Sequence, residues 1–110
     1  MEVAFFIDKR SLHLQEFLEL ITSEKYVSFG DLRKKFPNTT AHSTIQNFIF
    51  KTNSSIKSLF PNLEVFSLDL LSKEGKISRG YTLKAEVKFE TTNYHYVLLI
   101  TTNESYKSSV

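Results

Sequence analysis

The stretch Val27–Asn53, VSFGDLRKKFPNTTAHSTIQNFIFKTN, decides how the rest of the chain is read. Ser28-Phe29-Gly30-Asp31 fits a capping box, with Ser28 at the N-cap and Asp31 three residues on. The short helix it opens carries Phe29, Leu32 and Phe36 inward and Arg33, Lys34 and Lys35 outward. Pro37 stops it, because proline disfavours helical geometry in the residue before it and has no backbone N–H to donate. Asn38-Thr39-Thr40 combines turn chemistry with a second N-cap. A longer helix then runs from about Ala41 to Leu59, with Ile45, Phe48, Ile49, Thr52, Ile56 and Leu59 as its buried stripe. Its opposite face presents His42, Ser43, Gln46, Asn47, Phe50 and Lys51. Two helices joined by a tight turn, the second opening on short polar side chains, make a helix-turn-helix. That arrangement sets a helix with small donors and acceptors into the DNA major groove and keeps its apolar back against the protein.

Working outward, an earlier helix is expected from about Ser11 to Ser23, where Leu14, Phe17, Leu18 and Ile21 form one apolar stripe. Val3 to Ile7 reads as a short strand or extended arm. Past Pro61-Asn62 the pattern becomes β. Leu63, Val65 and Leu68 fall in a strand-like run, and Ser72-Lys73-Glu74-Gly75-Lys76 is turn chemistry. Tyr81, Leu83, Ala85, Val87 and Phe89 alternate with Thr82, Lys84, Glu86, Lys88 and Glu90, which predicts one half-buried antiparallel strand. Thr91-Thr92-Asn93 turns into Tyr94 to Thr101, a run apolar on both faces. Such a strand is either sandwiched within its own chain or covered by a partner, so a homodimer through the C-terminal strands is an expectation. The fold expected is α+β: a winged helix-turn-helix of three helices followed by an antiparallel hairpin wing, with an additional C-terminal strand. It would form one domain over residues 1–110, with the helix-turn-helix at 28–59, wing and C-terminal strands at 63–101 and a tail at 103–110.

Composition narrows the function. Hydrophobic residues make up 41% of the chain, including ten Phe and five Tyr, enough to build a core in 110 residues. There is no Cys, which excludes disulfides and thiolate metal sites. No apolar run approaches the roughly 20 residues that span a bilayer, and MEVAFFIDKR lacks the charge pattern of a signal peptide. A cytoplasmic protein with no membrane partner is expected. His13, His42 and His95 fall on three separate predicted elements. No ligand spacing for a metal, Gly-rich phosphate loop, nucleophile elbow or Cys nucleophile is present. Neither an enzyme nor a cofactor is expected.

The charge is unevenly spread. Residues 1–24 carry Glu2, Asp8, Glu16, Glu19 and Glu24 against Lys9 and Arg10, a net of −3. Residues 25–57 carry Lys25, Arg33, Lys34, Lys35, Lys51 and Lys57 against Asp31, a net of +5. The basic excess therefore lies on the helix-turn-helix, where phosphates of double-stranded DNA would be met. Arg33, Lys34, Lys35, Lys51 and Lys57 are the candidate phosphate contacts, and Lys73, Lys76 and Arg79 those of the wing. Thr40, His42, Ser43, Gln46 and Asn47 are the candidate base readers. Gln and Asn pair bidentately with adenine, and no Arg stands on this face to read guanine, so an A·T-leaning readout is expected. Phe50, off the buried stripe, would either pack against the wing or mediate self-association.

The segments FLELITSEKYVSFGDLRKKF and HSTIQNFIFKTNSSIKSLFPNLEV resemble the winged-helix domains of Mga-type and AtxA-type transcription regulators of Gram-positive bacteria. The shared pattern is a first helix, a short loop, a small second helix, then Ser43-Thr44-Ile45 and Lys51-Thr52-Asn53. It covers roughly Glu16 to Val65. The resemblance implies sequence-directed binding of duplex DNA, with Ser43, Gln46 and Asn47 on the reading face. The chain departs from it near Thr40-Ala41, where the usual N-cap Ser is replaced, and those regulators are large multidomain proteins. A compact regulator of a plasmid, phage or conjugative element is one expectation. A winged-helix module that binds protein through Phe50 and the acidic N-terminal third is the alternative.

Overall fold

The computed structural model describes residues 1–9 and 12–103, apart from the side chain of Lys73. Within these residues the chain forms β1 (Glu2–Asp8), α1 (Leu12–Glu24), β2 (Tyr26–Ser28), α2 (Phe29–Lys35), α3 (Thr39–Leu59), β3 (Phe66–Lys73), β4 (Lys76–Leu83), β5 (Glu86–Thr91) and β6 (His95–Thr101). The result is an α+β fold in which three helices pack with two three-stranded sheets, ordered β1-β6-β5 and β2-β4-β3. All the pairings are antiparallel.

Local chemistry sets most of the boundaries. Leu14, Phe17, Leu18 and Ile21, the expected stripe of α1, are all buried. The helix ends where Lys25 takes a left-handed φ of 68° and its N–H reaches the Ile21 carbonyl at 2.8 Å. This sends the chain directly into β2. Ser28 caps α2 as expected, its hydroxyl accepting from the Asp31 N–H at 3.0 Å. The start of α3 is at Thr39, earlier than Ala41, because the Asn38 side-chain oxygen accepts the Thr40 N–H at 2.8 Å and so serves as the cap. At the other end Leu59 is 37% exposed and leaves the buried stripe; Phe60, at the C-cap, turns in instead and is 3% exposed.

The expected turn joins β3 to β4. Glu74 and Gly75 have φ of 53° and 76°, which is the signature of a two-residue type I′ hairpin loop. Two expectations for the β half need correction. The alternation from Tyr81 to Phe89 is not one strand: β4 ends at Leu83 and β5 begins at Glu86 in the other sheet. At the break the Leu83 N–H bonds the Lys25 carbonyl (2.9 Å) and the Lys84 N–H bonds the Val65 carbonyl (2.8 Å). Both sheets face one core, so the inward parity continues across the break and hides it. Nor does a single extra strand follow the hairpin. β5 and β6 form a second hairpin, and β1 adds to it to complete the second sheet. β6 is the middle strand there, with Tyr96, Leu98 and Ile100 in the core and both edges paired within the chain. That position gives one face of β6 to the core; its opposite face carries buried Val97 and half-buried Leu99. Of the expected tail, residues 104–110 lie outside the described residues.

A line of aromatic contacts joins the elements that matter for the site. Phe29 of α2 meets Tyr81 of β4 at 5.2 Å between centroids, and Tyr81 meets Phe17 of α1 at 6.1 Å. Phe17 continues to Phe66 of β3 at 6.5 Å, and Phe66 to Phe48 of α3 at 6.0 Å. Fully burying one such ring contributes about 1.5–3 kcal/mol, so the row fixes α2, α3 and the β3–β4 hairpin relative to α1.

Candidate nucleic-acid interface

α3 is 21 residues long, about 31 Å at 1.5 Å per residue. Ala41, Ile45, Phe48, Ile49, Thr52 and Ile56 hold one side in the core. The other side is exposed and carries Thr40, Ser43, Gln46, Asn47, Phe50, Lys51 and Ser54. Of the expected readers, Thr40, Ser43, Gln46 and Asn47 therefore stand free of the core. His42 does not share their position. It is half-buried, and its Nε2 lies 2.7 Å from the Phe36 carbonyl at the end of α2, so it ties α3 to the turn that precedes it.

Two grooves flank the exposed face. On one side Phe29, Leu32 and Arg33 of α2, His42, Ile45 and Gln46 of α3, and Tyr81 of β4 enclose about 220 Å³. On the other side β1 and α3 enclose about 570 Å³, where Asn47 and Lys51 face Phe5 to Asp8. Gln46 and Asn47 thus lean to opposite sides of the helix, Gln46 beside Arg33 and Asn47 beside Lys51. Along the chain no Asp or Glu stands between Asp31 and Glu64, so every charged residue of α3 and of the turn before it is basic.

The remaining cations differ in their freedom. Lys34 and Lys57 are exposed. Lys35 is the exception in the phosphate set: its Nζ lies 3.8 Å from Glu16 of α1 and 6.0 Å from the Phe36 ring centroid. In the hairpin, Lys76 and Arg79 are exposed, and the Lys73 side chain lies outside the described residues. The pairing register puts Leu68, Leu70, Tyr81, Arg79 and Ile77 on the same hairpin face as Phe66 and Leu83. That face is buried at its root but open toward the tip, where Leu68, Leu70 and Ile77 are 52%, 67% and 74% exposed.

Three residues with no assigned role from the sequence hold this architecture. Asn53 donates from Nδ2 to the Phe66 carbonyl at 2.9 Å and accepts the Phe66 N–H on Oδ1 at 3.2 Å. It clamps the start of β3 to α3, and with buried Thr52 it gives the Lys51-Thr52-Asn53 stretch a structural purpose. Tyr26 sends its hydroxyl across to Ser78, 3.1 Å from both its carbonyl and its Oγ. Gly80 lies where β2 and β4 meet so closely that a Cβ there would come within 2.3 Å of the Val27 carbonyl oxygen. An isolated glycine in a strand pattern is the sequence signal for such an approach; Asn53 offers no comparable signal.

Among the described residues no helix is long and apolar enough to cross a membrane. Searched against protein families, curated proteins and solved structures, the chain matches none.

Proposed function

We propose that this chain is a winged helix-turn-helix domain that binds duplex DNA, with α3 in the major groove and the β3–β4 hairpin as the wing on the backbone. The element order α1-β2-α2-α3-β3-β4, with β4 between β2 and β3, supports the winged-helix reading. The observation that carries the function is the exposed face of α3. It has amide and hydroxyl side chains at its centre and a base on either side in Arg33 and Lys51; α3 itself carries no acid, and Asp8 of β1 lines the groove on the Lys51 side. Phosphates would be met by Arg33, Lys34, Lys51 and Lys57, and base edges by Ser43, Gln46 and Asn47. Transcriptional regulation from the cytoplasm is the role such binding fits best.

The test is affinity for a duplex enriched from a random library. Gln46→Ala and Asn47→Ala should each weaken the selected duplex by about 1–3 kcal/mol and leave scrambled duplexes almost unchanged. If both variants bind the selected duplex as the parent does, α3 is not the reading helix.

A second reading has one observation in its favour: the apolar tip of the hairpin. Leu70 and Ile77 are unusual on a surface that meets phosphates, and they suit a protein partner. Under that reading Leu70→Ser and Ile77→Ser would abolish capture of the partner, and raising the salt would not.

A further inference from the structure

Phe50 is the one large apolar side chain at the centre of the exposed α3 face, and it is 73% exposed. Packing against the wing, one of the two roles its sequence position allowed, is therefore not its role. Ser43, Gln46, Asn47 and Ser54 stand at i−7, i−4, i−3 and i+4 from it, so polar groups surround it on the helix surface. A dry apolar socket on a protein would bury those hydroxyls and amides without partners, at a cost of kilocalories each. A major groove would not, because base edges supply donors and acceptors beside a single kind of apolar group, the thymine C5 methyl.

We infer that Phe50 is a specificity-determining residue that packs on thymine methyl groups, and that the ligand class of α3 is duplex DNA rich in A·T pairs. The inference rests on the DNA reading above and deepens it. Gln46 and Phe50 lie one helical turn apart, about 6 Å along the axis, which spans about two base-pair steps. An amide paired with adenine and a ring against thymine would thus read A·T pairs two steps apart. The central positions of the face hold no guanidinium for guanine, and Asp and Glu, the acceptors for cytosine N4, are missing throughout α3. Charge favours the same occupant over a second copy of the chain: two such faces would bring Lys51 and Lys57 of each copy together with no acid on α3 to offset them.

The experiment compares a short alternating dA·dT duplex with its dA·dU counterpart, for the parent protein and for Phe50→Ala. Uracil keeps every hydrogen-bonding group of thymine and lacks only the methyl, and both duplexes carry the same phosphates. Phe50 is solvent-facing, so the variant should fold; circular dichroism checks this. The parent should bind dA·dT about fourfold more tightly for each methyl contacted. Phe50→Ala should bind both duplexes alike, at the parent's affinity for dA·dU. Equal binding of both duplexes by the parent would overturn the inference, and so would undiminished discrimination by Phe50→Ala; either result leaves DNA binding itself standing. No binding of either duplex by the parent at about 50 mM salt would remove the DNA reading and this inference with it.

Discussion

Gly80 and Asn53 show how single residues hold α3 and the β3–β4 hairpin in place. At Gly80 the β2 backbone approaches too closely for any side chain, since an added Cβ would also meet the Ser28 Cα at 2.7 Å. Gly80→Ala should therefore destabilise the fold by about 1–3 kcal/mol, as overpacking does, read as a lowered urea midpoint. Asn53→Ala removes both partners of the Phe66 peptide group and should cost about 1–3 kcal/mol in the same measurement. Lys25 works in the other direction. It sits in the left-handed region with a Cβ, so Lys25→Gly should raise stability by up to about 1 kcal/mol. The cap at Ser28 was legible in the sequence, because capping depends on residue types a few positions apart; Asn38-Thr39-Thr40 offered three candidate caps in a row, and the start of α3 was placed two residues late. The Asn53 clamp was not, since its partner Phe66 lies thirteen residues away across a turn.

At the scale of elements, the proposed DNA binding calls for two kinds of contact. Lys34→Ala and the wing changes Lys76→Ala and Arg79→Ala should weaken all duplexes about equally and lower the salt dependence by about one phosphate each. The base-reading variants should act on the selected duplex alone. Lys35→Ala should change DNA affinity less than Lys34→Ala, because Lys35 is partly engaged by Glu16. The helices, their stripes and the hairpin turn were legible because each is written in local periodicity or in turn chemistry. The division of Tyr81–Phe89 into two strands was not, because two sheets that share one core impose the same inward parity on both strands. The second sheet was hidden for a related reason. β1 pairs with β6 across nearly the whole chain, from Glu2 opposite Thr101 to Asp8 opposite His95, and nothing local in EVAFFID names its partner. In the candidate site, the periodicity of the buried stripe put Ser43, Gln46 and Asn47 on the exposed face, but His42, read with them, turned inward to the Phe36 carbonyl.

Three groups give the whole molecule a pH response with a direction. The Lys84 ammonium, 3.0 Å away, holds the Asp69 carboxyl below its ordinary range. A depressed carboxylate contributes stability above the unfolded value, near pH 4, that is lost as the pH falls. Burial raises the Tyr81 phenol, and burial with the Glu19 charge nearby raises Tyr96. Their contribution is present below about pH 10 and is lost as the pH rises beyond it. Thermal unfolding across pH should decline on both limbs, and Lys84→Ala should make the acid decline slightly shallower, because Ser67 still donates to Asp69, while leaving the alkaline one in place. The central claim is that the basic surface formed by α2, α3 and the β3–β4 hairpin tracks DNA phosphates, and fluorescence anisotropy with an AT-rich duplex at about 50 and about 200 mM salt tests it most directly. Six phosphate contacts, by Arg33, Lys34, Lys51, Lys57, Lys76 and Arg79, predict affinity falling by about three orders of magnitude over that range. Affinity unchanged between the two salt concentrations, or no binding at the lower one, would contradict it.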